Sequence, residues 1–272
     1  MRIKNSLMLV LCVSTLFSCN SKSDHPQARL LEDGSSTSLN DKSILSFADS
    51  LNRNLSSLKK TISLIYMLGD NSLYVERYTD ANGDKVYYEQ INNGSANSTL
   101  NKYYFKNDSL MLISSYSKQI LENGPIFKDT RVYLRNNTAF KKENRTASSA
   151  AAIQTLPYLL IQDVDSHAAE ESYFEKIKNL NDAISQTNKF EMVFDNITTY
   201  PDSKSLMLKS KIRNSYTANV TIANKSPFID SLLNNSSIFE NEKLKFNWIV
   251  KDNEAVYVPE RDSVTSASGL NK

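Results

Sequence analysis

Histidine, cysteine, tryptophan and glycine are scarce in this chain. Its 272 residues include two histidines, two cysteines, one tryptophan and six glycines. Zinc sites draw on clustered Cys, His and carboxylate ligands. Cys12, Cys19, His25 and His167 are too few and too scattered for most such arrangements. The glycines stand singly, so no Gly-rich phosphate cradle is present. His167 closes the stretch Asp163-Val164-Asp165-Ser166-His167, which holds the residue types of a catalytic triad. Sequence neighbours cannot supply the converging geometry a triad needs. Asp165 or Ser166 reads better as the cap of a following helix. Acids are numerous, but no spacing selects a pair of the kind a glycosidase needs. No cofactor, metal or catalytic residue is expected.

The apolar run Leu7–Phe17 is short. Crossing a bilayer takes ~20 apolar residues. A basic start (Arg2, Lys4), a short apolar core and a small residue before the cleavage point mark a secretory signal. The residues Leu16-Phe17-Ser18-Cys19 resemble the lipobox of bacterial lipoproteins, with a type II signal peptide at 1–18. The resemblance implies cleavage before Cys19 and lipidation of its sulfur with diacylglycerol, palmitate being the usual kind of chain. Several acyl chains then anchor the protein stably, where one would bind marginally. Residues 19–42, rich in Ser, Asp and Asn, read as a lipidated flexible tether that contains His25. Asn20 stands where Asp favours inner-membrane retention in many diderm bacteria, which leans towards the outer membrane. The frequent Asn, Lys, Ser and Tyr are similar to Bacteroidota proteins.

Removing the signal changes the charge. The chain carries 32 basic and 30 acidic residues, and the loss of Arg2 and Lys4 leaves the two equal. An electrostatic case for nucleic acid therefore fails. Cys12 goes too, so Cys19 has no partner for an intramolecular disulfide.

The remainder reads as an α+β protein. Residues 43–146 are expected to hold a helix packed on an antiparallel β-meander, 147–188 a helical linker, 189–260 a small OB-like β-barrel, and 261–272 a disordered tail. The helix stripe is Leu45, Ala48, Leu51, Leu55, Leu58, Ile62 and Ile65. Asn82-Gly83 marks a hairpin. Two stretches repeat: 102–112 aligns with 131–141, matching Lys102 to Arg131, Tyr104 to Tyr133, Phe105 to Leu134, and Asn107-Asp108 to Asn136-Asn137. Pro157 breaks the first helical part of the linker. Its second part should bury Tyr173, Phe174, Ile177, Leu180 and Ile184. Beyond it come three strands, a helix opened by Ser226-Pro227, and two strands that turn at Asn253-Glu254. That element order resembles an OB-fold, with Leu208 and Ile212 forming the apolar side of its second strand.

Two features suggest binding. Lys209, Lys211 and Arg213 alternate with Leu208 and Ile212, and Tyr216 follows; this is a candidate ligand face for an anionic partner. The alternative is a solvated face whose lysines discourage edge pairing. Eight of the 14 tyrosines fall between Tyr74 and Tyr133. Tyr87-Tyr88 and Tyr103-Tyr104 must split across two sheet faces, and one set would form a platform for sugar rings or a partner. The expectation is a non-catalytic cell-envelope lipoprotein. It would meet the membrane through its anchor and bind or scaffold an envelope protein, glycan or anionic lipid. The rivals are a lipid- or lipoprotein-handling factor with an apolar cavity and a carboxylate-based hydrolase.

Overall fold

The computed structural model describes residues 40–136, 138–162 and 166–259, side chains within 166–172 excepted. The signal, Cys19, His25, residues 19–39 of the tether, Asn137, Asp163, Asp165, the side chain of His167 and the tail 261–272 lie outside the described residues.

Helix α1 (Asp41–Arg53) places Ile44, Ala48 and Leu51 on one buried stripe, with Asp41 in the first turn and Arg53 in the last, as the helix dipole favours. It is shorter than the stripe suggests. At Asn54 the backbone leaves the helical region (φ −102°, ψ 9°), Leu55–Ser57 make one 3-10 turn, and Lys59–Ile62 become strand β1. The ladder of β1 with β3 (Asn71–Thr79) satisfies the backbone groups a longer helix would have paired internally. Thr61 and Ile62 are β-branched and suit it.

The meander continues through β2 (Tyr66–Leu68), β3, β4 (Lys85–Asn93), β5 (Asn97–Lys106), β6 (Ser109–Leu121), β7 (Gly124–Arg135), β8 (Thr138–Ala147) and β9 (Leu159–Leu160), each antiparallel to its neighbours. Gly83 turns at φ +90°, and Asn107 and Asp108 both sit at positive φ, as a two-residue hairpin loop requires. The aligned stretches share more than letters. The register shifts between Tyr104 and Phe105 in one, and between Tyr133 and Leu134 in the other. Each carries its bulge at the matched position.

Helix α2 (Ala150–Thr155) starts at Ser149, whose Oγ accepts from the Ala152 amide, and stops before Pro157. Helix α3 (Ser166–Ser185) lies on the sheet. It buries Leu180, Ala183 and Ile184, and packs Tyr173 and Ile177 against the core. Phe174 is 74% exposed, contrary to the expected stripe. One step from Tyr173 is about 100° of rotation, which carries it off that face.

Beyond α3, strands β10 (Met192–Thr199), β11 (Lys204–Ser210) and β12 (Thr217–Ile222) precede helices α4 (Pro227–Asn234) and α5 (Ser236–Phe239), then β13 (Asn247–Lys251) and β14 (Glu254–Val258). Ser226 caps α4, its Oγ accepting from the Ile229 amide. The final turn centres on Asp252 and Asn253, one residue earlier than expected, because both take the positive φ of a two-residue loop. These strands do not close on themselves. Strand β12 pairs with β11, with β14 in parallel, and at Tyr66 and Met67 with β2. Among the described residues no ladder joins β13 to β10. Instead the backbone of Phe194 bonds to Asn241 and Glu242, so a coil occupies the edge that a closing strand would use. The result is one open, mostly antiparallel 14-stranded sheet with helices on both faces.

Tyr66 is where the parts meet. It is fully buried, its hydroxyl donates to the Ala183 carbonyl at 2.8 Å, and its ring lies 4.7 Å from Phe190 and 5.9 Å from Tyr216. Nearby, the indole N–H of Trp248 donates to the Ser63 carbonyl. A second clamp is polar. Glu89, 2% exposed on β4, accepts from Asn101 and Tyr103 and pairs with Lys176 of α3 at 2.7 Å.

Candidate functional site

Strand pairing sorts the tyrosines. Tyr87 and Tyr103 point to the α3 side and are buried; Tyr88 and Tyr104 point to the α1 side. On that second face the register sets three transverse rows. The first, Tyr78, Val86, Tyr104, Leu112 and Tyr133, lies at the end of the face that α1 covers. The second runs Glu76, Tyr88, Lys102, Ser114, Arg131 and Glu143. The third runs Tyr74, Gln90, Leu100, Tyr116, Asp129 and Arg145. At the β7–β8 end, Arg145 holds the last turn of α2 and the segment after it by donating to the carbonyls of Gln154 and Leu156. A strip of half-buried residues, Tyr74, Tyr88, Lys102, Ser114 and Tyr116 among them, runs across the sheet beside α1 and this segment, and is called the tyrosine trough below.

The ring hydroxyls of Tyr74, Tyr78, Tyr88, Tyr104 and Tyr158 are tied down. Tyr74 and Tyr78 donate to the two oxygens of Glu76, which also pairs with Lys60 at 2.7 Å. Burial alone would raise the Glu76 carboxyl, but these donors hold it below its ordinary range. Tyr88 and Tyr104 both donate to Asn52 of α1, at 2.8 and 3.1 Å. The Tyr158 ring has two guanidinium groups against it, Arg131 at 3.9 Å and Arg145 at 4.4 Å from its centre. Its hydroxyl donates to Asp129, which also accepts from Arg145. Burial, then the Asp129 carboxylate, pushes the Tyr158 phenol up to about 12.

The cations of this face differ in one respect. Lys60, Lys141, Arg145 and Arg131 each have a carboxylate within 4.0 Å, although Arg131 reaches Glu143 only at 3.7 Å. Lys102 has none among the described residues; its ammonium sits 4.5 Å from the centre of the Tyr88 ring. Burial pushes the Lys102 ammonium down from the usual lysine range, against the pull of Asp129.

The basic strand singled out from sequence is arranged otherwise. Lys209 lies 2.8 Å from Asp195, and Lys211 lies 2.8 Å from Glu191. Each acid answers its lysine's charge, and the Lys209 ammonium is raised chiefly by its bond to Asp195. Strand β11 ends at Ser210, so Lys211, Ile212 and Arg213 belong to the following turn. Ile212 is 51% exposed rather than buried beside Leu208. Tyr216 stacks on Phe190 at 4.9 Å, on the core side. The four residues therefore do not combine into one open basic face.

No family model, curated protein or solved structure matches the chain. The site must be judged on its own chemistry. No described helix is long and apolar enough to cross a membrane. Among the described residues no group of three or more His, Cys, Asp or Glu side chains is placed to hold a metal ion. Depressions lie elsewhere on the molecule. One of 380 Å³ lies beside Lys225, Phe228, Phe246 and Tyr257, and one of 510 Å³ beside Tyr173 and Lys176. Sequence reasoning marked the tyrosines but passed over Lys102, Ser114, Arg131 and Tyr158 as site residues. The only signal was the match of Lys102 to Arg131 in the repeated stretches, which the pairing places on either side of Ser114.

Proposed function

We propose that this chain is a non-catalytic, lipid-anchored protein of the cell envelope that binds or scaffolds a partner through the tyrosine trough of its meander. One observation carries the binding part: the α1-side face continues past α1 as a set of half-buried aromatic rings held by Glu76, Asn52 and Asp129. Rings fixed before contact lose little freedom on binding, which favours affinity. The lipobox at Leu16–Cys19 supports the anchor, and Asn20 supports the outer membrane. The order of three strands, helices α4 and α5, and two strands supports reading residues 189–260 as an open OB-like unit.

The test is capture from an envelope extract by the full, anchored chain, compared across variants. Tyr74→Ala with Tyr116→Ala should abolish capture of any partner, whereas Lys209→Met with Lys211→Met should retain it. Equal capture by both variants refutes the trough as the binding face.

A further inference from the structure

Strand geometry sets the spacing of the trough. Lys102 and Arg131 stand two strands apart with Ser114 between them, so their Cα atoms are separated by roughly 10 Å. Their side chains lean apart, Lys102 towards the Tyr88 ring and Arg131 towards the Tyr158 ring. The residue between them is small and carries a hydroxyl. Beyond it in the next row stands Tyr116, with Gln90 and Leu100 alongside. Among the described residues Lys102 has no carboxylate within 4.0 Å, unlike Lys60, Arg131, Lys141 and Arg145 on the same face. A half-buried ammonium with only a ring for company gains from an incoming anion.

We propose that the trough binds an acidic carbohydrate, with a sugar carboxylate seated over Ser114 between Lys102 and Arg131 and sugar rings lying on Tyr88 and Tyr116. The depressed pKa of Lys102 is consistent with a cation lacking its counter-charge. The Arg131 guanidinium lies 3.9 Å from the centre of the Tyr158 ring and reaches Glu143 only at 3.7 Å, which leaves N–H groups to meet a carboxylate. The floor mixes aromatic faces with hydroxyl and amide groups (Ser114, Gln90), the combination a hydroxylated ring uses. It is a sheet face, with no free backbone edge to pair with a peptide.

This rests on the trough being the binding face, and the test separates the two claims. Calorimetry on the full chain in detergent would compare tetragalacturonate, its fully methyl-esterified form, polyglutamate and phosphatidylglycerol vesicles. Tetragalacturonate should bind about tenfold more tightly than the ester, about 1.4 kcal/mol. Lys102→Met should remove that preference, and Lys102→Arg should restore most of it. Tyr116→Ala should weaken both oligosaccharides, and Lys211→Met neither. Equal binding of acid and ester, weakened by Tyr116→Ala, overturns the acidic preference but keeps the trough. No oligosaccharide binding at millimolar concentration overturns the carbohydrate assignment. Polyglutamate or vesicles binding more tightly than tetragalacturonate, and depending on Lys102, overturns it as well but keeps the anion site. Binding indifferent to Tyr88→Ala, Tyr116→Ala and Lys102→Met overturns both claims. Unchanged circular dichroism melting shows that each variant is folded.

Discussion

Removing Lys176 isolates the clamp between α3 and the sheet. In Lys176→Met the aliphatic stem stays and the ammonium goes. Glu89 keeps its bonds from Asn101 and Tyr103, both to Oε2, and Oε1 loses the partner at 2.7 Å. Breaking a fully buried ion pair costs about 3–5 kcal/mol, and an exposed pair contributes about 0–1 kcal/mol. This pair is mixed: the Glu89 side chain is 2% exposed and that of Lys176 35%. Water can reach Oε1 from the lysine side, so the expected loss is about 2 kcal/mol. For a domain of this size that lowers Tm by about 4–8 °C. The companion is Glu89→Gln with Lys176→Met, which removes both charges while the amide oxygen goes on accepting from Asn101 and Tyr103. It should recover to within about 1 kcal/mol of the parent, since the neutral amide leaves no uncompensated buried charge. Urea unfolding at pH 7 gives both numbers. A Lys176→Met loss below about 0.5 kcal/mol, the range of surface substitutions, would refute the clamp. So would a double variant whose loss equals the sum of the singles.

Three further outcomes are expected. Tyr66→Phe should cost about 1 kcal/mol in urea unfolding through the lost bond to Ala183, and Tyr66→Ala about 3–5 kcal/mol; near-neutral values for both would remove Tyr66 from its central place. Burial holds the Tyr104 and Tyr158 phenols near 12, above the ordinary value of 10.0, so their contribution to stability is complete below pH 10 and is lost as pH rises towards 12. Absorbance at the phenolate band should then rise together with loss of circular dichroism in alkali, and free early titration of every tyrosine would contradict the buried arrangement. Cys19→Ser should abolish labelling by radioactive palmitate and release the protein from the membrane fraction; persistent label rules out the lipobox reading.

How far the sequence revealed this molecule depended on how local each signal was. Gly83 and Ser226-Pro227 act through their own backbones, and both sit where the sequence suggested. The stripe from Leu45 to Ile65 misled because spacing alone cannot say where a helix gives way to a strand whose partner lies downstream. The expected barrel stayed open because coil residues Asn241 and Glu242 hold the edge of β10, and backbone bonding of coil leaves no mark in composition. Lysines 209 and 211 looked basic because Asp195 and Glu191 lie on a neighbouring segment. The trough was half legible. Alternation split Tyr87 from Tyr88 and Tyr103 from Tyr104, but only register puts Tyr88 with Tyr104, and Lys102 beside Ser114 with Arg131 beyond it.

The short ladder between β2 and β12 also bears on how the chain is made. Tyr66 and Met67 must wait for Ala218 and Thr217, ~150 residues downstream, whereas β3 to β8 pair with near neighbours and close quickly. At ribosomal rates of about 5–20 residues per second, that wait lasts roughly 8–30 s. Until then Tyr66 is an uncovered aromatic on an unpaired strand edge, the kind of surface that aggregates. A fragment ending before Thr217 would be an arrested intermediate rather than a smaller domain, and the final third of the chain is what commits the fold.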